Sequence, residues 1–331
     1  MMQKSLRLAF VGDIMLGRLV NRHLKSAPAI YPWGDCLPVL QETNLRIGNL
    51  ECAVSDRGDP WHYTPKVFHF RADPKNVQVL KAAGIDIISL ANNHSLDFGQ
   101  RALGDTIRIL DGAHIAHAGA GGNIEEASRP AIYKLGGLKL AMLALTDNEP
   151  AWEAKANQPG VYYCPIEPDD PRSLALMDAV AKLRQKVDTV IISLHWGPNW
   201  GYEPPAEHRS FAHSLIDAGA DVIYGHSPHI FRGVEIYKGK PILYSTGDFV
   251  DDYAVDEIER NDESFIFCLD IKEGRPFKLT LYPTVIDYFQ AKLAGDRAPA
   301  IAARMSKLCH QFGTDTLWQA KDQSLQILFS P

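Results

Sequence analysis

The chain has 331 residues, enough to bury a large core as one big α/β domain or two smaller ones, and its 46% hydrophobic and 22% charged residues are ordinary for a soluble globular protein. A formal net charge of -6 argues against a nucleic-acid partner, which needs a basic face. Five cysteines at wide, irregular spacings include no C-x-x-C pair, so neither a zinc ribbon nor a disulfide framework is indicated.

In chain order, "MMQKSLRLAFVGD" reaches an apolar run at Leu6 that is too short for a signal-peptide core, with no small-residue cleavage site behind it. No apolar run is long enough to span a bilayer, and the expectation is a cytoplasmic protein with no membrane segment. One pattern then repeats: a short apolar run, a polar turn, an amphipathic stretch. "LRLAFV" ends in Gly12-Asp13, "LRIGNL" in Glu51, and "AAGIDIISL" in Asn92-Asn93-His94 before the helical "GQRALGDTIRILDGA". "LKLAMLAL" ends in Thr146-Asp147, "VDTVIISL" in His195-Trp196-Gly197, and "AGADVIY" in Gly225-His226. Between the last two, "PPAEHRSFAHSLIDAG" has helical spacing and a Gly219 stop. Strands alternating with helices predict an α/β layered fold.

Beyond residue 230 the texture becomes β-rich. "RGVEIYKGKPILYSTGDF" reads as a hairpin turning at Lys238-Gly239-Lys240, and "ESFIFCLDI" and "FKLTLYPTVI" as two strands turning at Glu273-Gly274-Arg275. "PAIAARMSKLCHQFG" is helical. With no linker, low-complexity tract or repeat, the expectation is a single domain over 1–331. It has a core at about 6–290, a β-rich portion completing a second sheet, and a C-terminal helical extension at 291–331.

Polar residues fall at the strand ends, the edge that bears sites in α/β sheets. Asp13, Glu51, Asn93, His195 and His226 would converge on one rim, with His229 three residues further on in the tight turn "GHSPH". Oxygen and imidazole donors without a thiolate suit Mn²⁺, Fe²⁺, Zn²⁺ or Ni²⁺ rather than a structural zinc. Singly, each residue has a simpler explanation: Asp13 as a helix N-cap, Asn92 and Asn93 as an Asx turn, a histidine as a satisfied, partly buried ring. As a set they point to a metal site, with room for two ions ~3.5–4 Å apart. Lys66 and Arg71 in "PKVFHFRADP" read either as an exposed strand face or as cations that meet a substrate anion. Trp196, Trp200 and Tyr202 read as cleft wall or as loop packing. "GHSPH" lacks the closing glycine of a nucleophile elbow, "GAGGN" the third glycine of a dinucleotide fingerprint, and there is no P-loop.

"GDIMLG", "GNLE", "SLANNHSLDFG", "LHWG" and "GADVIYGHSPH", followed by "GVEIYKGKPILYSTGDF", resemble the CapA family of poly-γ-glutamate biosynthesis proteins, within the calcineurin-like metallophosphoesterases. The resemblance runs in order from about residue 8 to residue 250. It implies an αββα sandwich of two mixed sheets flanked by helices, with two divalent metal ions on one edge. Carried over, Asp13 and His229 hold the first ion, Glu51 bridges, and Asn93, His195 and His226 hold the second. His94 then assists the leaving group and Asp97 orients its ring, unless Asp97 is a helix N-cap. Three departures stand out: Met15 where many relatives of the wider superfamily carry a ligand histidine, Ser227 for another histidine, and Asp248 for asparagine. Met15 predicts a weakly held first ion. Three functions follow: a hydrolase of phosphoester or related bonds, a metal-dependent peptide epimerase on the same site, or a non-catalytic accessory protein of capsule biosynthesis. A small molecule or a peptide is the expected substrate.

Overall fold

A computed structural model describes residues 5–329, and residues 1–4 and 330–331, the ends of the expected single domain, lie outside the described residues. The main strands are β1 (Leu6–Ile14), β2 (Leu45–Leu50), β3 (Ile87–Ser89), β4 (Ala116–Ala118), β5 (Ala131–Leu135), β6 (Leu138–Thr146) and β7 (Thr189–His195). They continue as β8 (Val222–His226), β9 (Val234–Tyr237), β10 (Lys240–Leu243), β11 (Asp248–Val250), β12 (Glu263–Lys272), β13 (Arg275–Asp287) and β14 (Ser324–Leu328). The main helices are α1 (Arg18–His23), α2 (Val77–Ala83), α3 (Gly99–Gly112), α4 (Pro171–Arg184), α5 (Ala206–Ala218) and α6 (Ala298–His310).

Among the described residues, one sheet of ten strands centres on the order β14-β13-β12-β1-β2-β3-β4, and one of six runs β9-β10-β8-β7-β6-β5. Period-two alternation sorts the side chains into layers. Phe10 and Ile47 of the first sheet meet Met142, Ile191, Val222 and Tyr224 of the second in a shared core. Their neighbours Val11 and Ile88 point outward onto Leu80 of α2 and Leu103 and Leu110 of α3. Leu143, Ile192 and Ile223 point the other way, onto Leu176 and Val180 of α4 and Phe211 and Leu215 of α5. The result is two facing sheets covered by helices.

Four sequence expectations are revised. The first strand does not stop at Val11 but continues to Ile14, so Asp13 lies within it. A register shift between Phe10 and Asp13 re-aims the strand end. At that irregularity the Val11 carbonyl accepts the buried Tyr224 hydroxyl at 2.5 Å, a direct link between the sheets. "AAGIDIISL" is the end of α2, a left-handed Gly84 and only then β3. The β-rich portion does not complete one sheet: the hairpin of β9 and β10 closes the second, whereas β12 and β13 widen the first beside β1. Residues 291–331 are not a helical extension alone, because β14 pairs with β13 after α6.

The site-bearing ends belong to parallel pairs. β1 pairs with β2 and β11, β2 with β3, and β7 with β8, placing Asp13 beside Asn49 and Asp248 and His195 beside His226. The approach of β11 depends on Gly12, where a Cβ would stand 2.0 Å from the Gly247 carbonyl oxygen. Asp13 N–H donates to that same oxygen at 2.9 Å. Because the obstacle is backbone, Gly12→Ala displaces β11 and costs about 1–3 kcal/mol. Urea unfolding should show a lower midpoint at unchanged slope. A midpoint equal to that of the unsubstituted protein would contradict this packing.

Candidate metal centre

The two sheets present their parallel-strand ends to one another. From the first come Asp13 in β1, Glu51 directly after β2, Asn93 in the turn after β3, and Asp248 opening β11. The second contributes His195 and His226, the last residues of β7 and β8, and His229 in the turn beyond. Ligand atoms of Asp13, His195 and His226 lie within 4.8 Å of one another, as do those of Asp13, Glu51 and Asp248. Asp13 is thus common to both groups, the position the resemblance assigns to Glu51. Glu51 approaches the histidine group through Oε1, 3.8 Å from His195 Nε2. His229 stands in neither group and instead meets Asp248, Nδ1 to Oδ1 at 3.1 Å.

The histidines form a chain. His195 Nε2 is 3.0 Å from Asn93 Oδ1, His195 Nδ1 is 2.8 Å from His226 Nδ1, and His226 Nε2 is 2.8 Å from Ser193 Oγ. One proton assignment satisfies every step with both rings neutral: His195 Nε2–H donates to Asn93, His226 Nδ1–H to His195, and the Ser193 hydroxyl to His226. Burial enforces that neutrality, pushing His226 down to about 3 and His195 well below its usual value. Neutral imidazole is the metal-binding form.

The carboxylates lack compensation. Burial raises Asp13 to about 7 against a hydrogen bond from Asn49, and raises Glu51 and Asp248 well above the usual range, the neighbouring acids adding to it. Among the described residues no lysine or arginine pairs with any of the three, and Asp13 Oδ2 and Asp248 Oδ2 are buried without a hydrogen-bond partner. Buried charge left in this way is costly unless a cation or protons neutralise it. The donor set of carboxylate, amide and imidazole fits a hard or borderline divalent ion.

His94 and Asp97 lie beside this centre. His94 Nδ1 is 2.6 Å from Asp97 Oδ2, and its ring stacks on Phe70 at 3.9 Å between centroids. Phe98, not Asp97, occupies the cap position of α3, and Gly17 that of α1, so neither Asp97 nor Asp13 is spent as a cap. Lys66 is not on an exposed face: its Nζ meets Asn93 O at 2.5 Å, Glu149 at 3.2 Å and Asp97 Oδ1 at 3.4 Å. Arg71 turns elsewhere, over the Phe98 ring at 4.1 Å. Of the aromatics, Trp196 is buried against His208, Tyr202 packs on Phe231, and only Trp200 lines the adjoining cleft of about 500 Å³. His94, His229, Phe70 and Tyr253 share that lining.

Three supporting residues, Asn49, Ser193 and Tyr253, escaped sequence reasoning, whereas Asn92 reads as a turn residue. Asn49 donates to Asp13 Oδ1 at 2.8 Å, and Ser193 holds His226. Strand alternation was the available signal, since positions 49 and 51, and 193 and 195, share a face. Asn92 ties the turn together, donating to Asn49 Oδ1 at 2.9 Å and accepting His94 N–H at 3.0 Å. Tyr253 donates to Glu51 Oε2 at 3.1 Å, a contact no local pattern announces.

Two outcomes follow. A divalent ion must displace the proton that Asp13 holds up to about 7, whereas His226 is already neutral above about 3. Titrating Mn²⁺ into chelator-stripped protein at pH 6 should therefore release protons, and affinity should fall as pH drops from 7 to 5. Binding without proton release would contradict the buried-acid description. Asp248→Asn removes one like charge, so it should raise the melting temperature of stripped protein. It should also shrink the stabilisation that metal confers, by ~1.4 kcal/mol for each tenfold loss of affinity. A variant that melts lower when stripped, or gains as much from metal, would count against the arrangement.

The family described as "Bacterial capsule synthesis protein PGA_cap" matches residues 7–253. The "Probable polyglutamine synthesis accessory protein Rv0574c" of Mycobacterium tuberculosis is 36% identical over 299 residues, covering 87% of this chain and 74% of that protein. The "PGA biosynthesis protein CapA" of Bacillus subtilis is 32% identical over 251 residues, covering 75% and 63% respectively. The "Capsule biosynthesis protein CapA" of Bacillus anthracis is 29% identical over 336 residues, covering 98% and 78%. A solved structure, that of a hypothetical protein from Thermus thermophilus, superposes with a TM-score of 0.50 at 14% identity, covering 84% of this chain and 98% of that one, a likeness of fold alone. With its family match spanning the site-bearing strands and relatives aligned over most of its length, the chain belongs to the bacterial capsule synthesis protein PGA_cap family.

Proposed function

We propose that this chain is a metal-dependent hydrolase of phosphoester or related bonds, a single domain of calcineurin-like metallophosphoesterase type with a dinuclear centre. The observation that carries the proposal is the pair of buried ligand groups sharing Asp13, without a lysine or arginine partner among the described residues, joined through Asn93 and His229 to a cleft that His94 also lines. Asp13, Glu51, Asp248 and His229 would hold one divalent ion, and Asp13, Asn93, His195 and His226 the other. Such ions supply positive charge to the oxygens of a phosphoryl group and favour attack by water.

The remaining work falls to the chain itself. Asp97 engages His94 Nδ1, which leaves Nε2 to face a substrate, and stacking on Phe70 fixes the ring plane. Burial keeps the His94 ring neutral and raises Asp97 to about 7, so with the Asp97 carboxyl donating to Nδ1 the ring's one proton sits on Nε2. That proton passes to the leaving oxygen as the phosphorus–oxygen bond breaks, the Asp97 proton moves to Nδ1, and the water that adds to phosphorus returns one to the pair. Lys66 braces both sides of this turn through Asn93 O and Asp97. No helix among the described residues is long and apolar enough to cross a membrane.

A second reading, an accessory role in capsule or poly-γ-glutamate synthesis without chemistry at this site, is favoured by the names of the relatives. The two are separated by assaying phosphate release from a panel of phosphomonoesters and diesters with Mn²⁺-loaded protein. Hydrolysis predicts turnover that falls ~10²–10⁴-fold in His94→Ala while metal content is kept. Full activity in His94→Ala, or none in the loaded parent, would contradict it. Deuterium uptake at a peptide α-carbon without bond cleavage would redirect the same site to epimerisation.

A further inference from the structure

The cleft beside the metal ligands holds two cations, Lys66 and Arg18, and they differ in what remains of their bonding capacity. Lys66 is spent: its side chain is 6% exposed and is shared among Asn93 O, Glu149 and Asp97. Glu149, the acid on the cleft wall, is accounted for by the same contact. Arg18 is not spent. Its side chain is 36% exposed, and among the described residues its one ion-pair contact joins Nε to Asp252 Oδ2 at 3.4 Å. A guanidinium carries five N–H donors in a planar fork, so the two terminal nitrogens stay available for a paired oxyanion.

The backbone is built to hold this side chain in place. Arg18 sits at φ 49, a left-handed conformation that a long side chain rarely adopts. Met15 supports the turn: its buried sulfur accepts Gly17 N–H at 3.0 Å. Met15, at the position where many relatives of the wider superfamily carry a ligand histidine, thus shapes the approach to Arg18. Asp252 fixes the other side, accepting Leu19 N–H at 2.8 Å. The guanidinium then lies over Phe68 at 5.5 Å and Phe70 at 5.7 Å, and Phe70 is the ring on which His94 stacks. An anion held by Arg18 would thus lie a single aromatic ring away from the histidine that handles the proton.

We propose that Arg18 is a specificity-determining residue of this cleft, receiving an oxyanion, carboxylate or phosphate, that the substrate carries away from the bond that reacts. The aromatic ledge of Phe68 and Phe70 takes the apolar segment between the two. The inference rests on the hydrolase reading for what happens at the metal end, but the binding itself does not require the metal.

The test is calorimetric titration of the full chain, both chelator-stripped and Mn²⁺-loaded. The probes are 3-phenylpropionate, benzylphosphonate and the neutral 3-phenylpropionamide. The parent should prefer at least one anion over the amide by about tenfold or more in both states, and the two anionic arms show which oxyanion fits. Arg18→Gln should erase that preference with metal content and amide binding unchanged, and Arg18→Lys should restore part of it, keeping charge without the fork. An anion preference that survives Arg18→Gln, or no preference in the parent, overturns the assignment. A parent that binds no Mn²⁺ yet keeps an Arg18-dependent preference would instead overturn the metal reading and leave Arg18 standing.

Discussion

Asp13, Glu51 and Asp248 are buried within one small volume with no lysine or arginine among the described residues to neutralise them, and much of the site's construction follows from that crowding. The chain neutralises buried acids elsewhere. At the start of β12, Asp262 meets Arg260 at 2.6 Å, and Glu263 meets Arg297 at 2.5 Å and Arg304 at 2.6 Å. Among the described residues no arginine or lysine is provided at the strand ends, where the neighbours are amides, a tyrosine hydroxyl, His229 against Asp248, and two histidines kept neutral by burial. A site in that condition is poised either to hold protons or to hold a cation. Each carboxylate comes from or directly follows a different strand of the first sheet and the histidines come from the second, so an ion held there would also join the two sheets.

The positions where the sequence departs from the metallophosphoesterase pattern it resembles have definite places in this geometry. Met15 supplies no imidazole, but Asp248 arrives through the parallel pairing of β11 with β1 and completes a group of three carboxylates with Asp13 and Glu51. His229 leans on that same carboxylate. The sulfur of Met15 meanwhile fixes the turn into α1. Met15 thus serves the architecture of the cleft mouth, and Asp248 brings a carboxylate into the centre.

Legibility in the sequence followed the range of the interaction. The strand leading into Glu51, the strands ending in His195 and His226, helices α3 and α5, and both hairpin turns were readable from local patterns. Lys238 and Gly239, and likewise Glu273 and Gly274, take the positive φ values that such turns require. What was not readable depends on pairing between distant segments. Periodicity cannot say which sheet a hairpin joins, so β12 and β13 were expected in the wrong layer. Local pattern likewise could not distinguish Asp248 as a turn residue from Asp248 beside Asp13, nor Lys66 on a surface strand from Lys66 folded under the turn that carries His94. Asn49 and Ser193 were within reach, two residues before recognised positions on the same strand face.

The central claim, a dinuclear centre sharing Asp13, is tested most directly by elemental analysis of purified protein reconstituted with Mn²⁺ or Zn²⁺, beside Asp13→Ala and His195→Ala. The account predicts near two equivalents in the parent, both lost in Asp13→Ala because that carboxylate belongs to both groups, and a remnant of the carboxylate site in His195→Ala. A parent that retains no ion after reconstitution, or an Asp13→Ala variant that retains two, would contradict it.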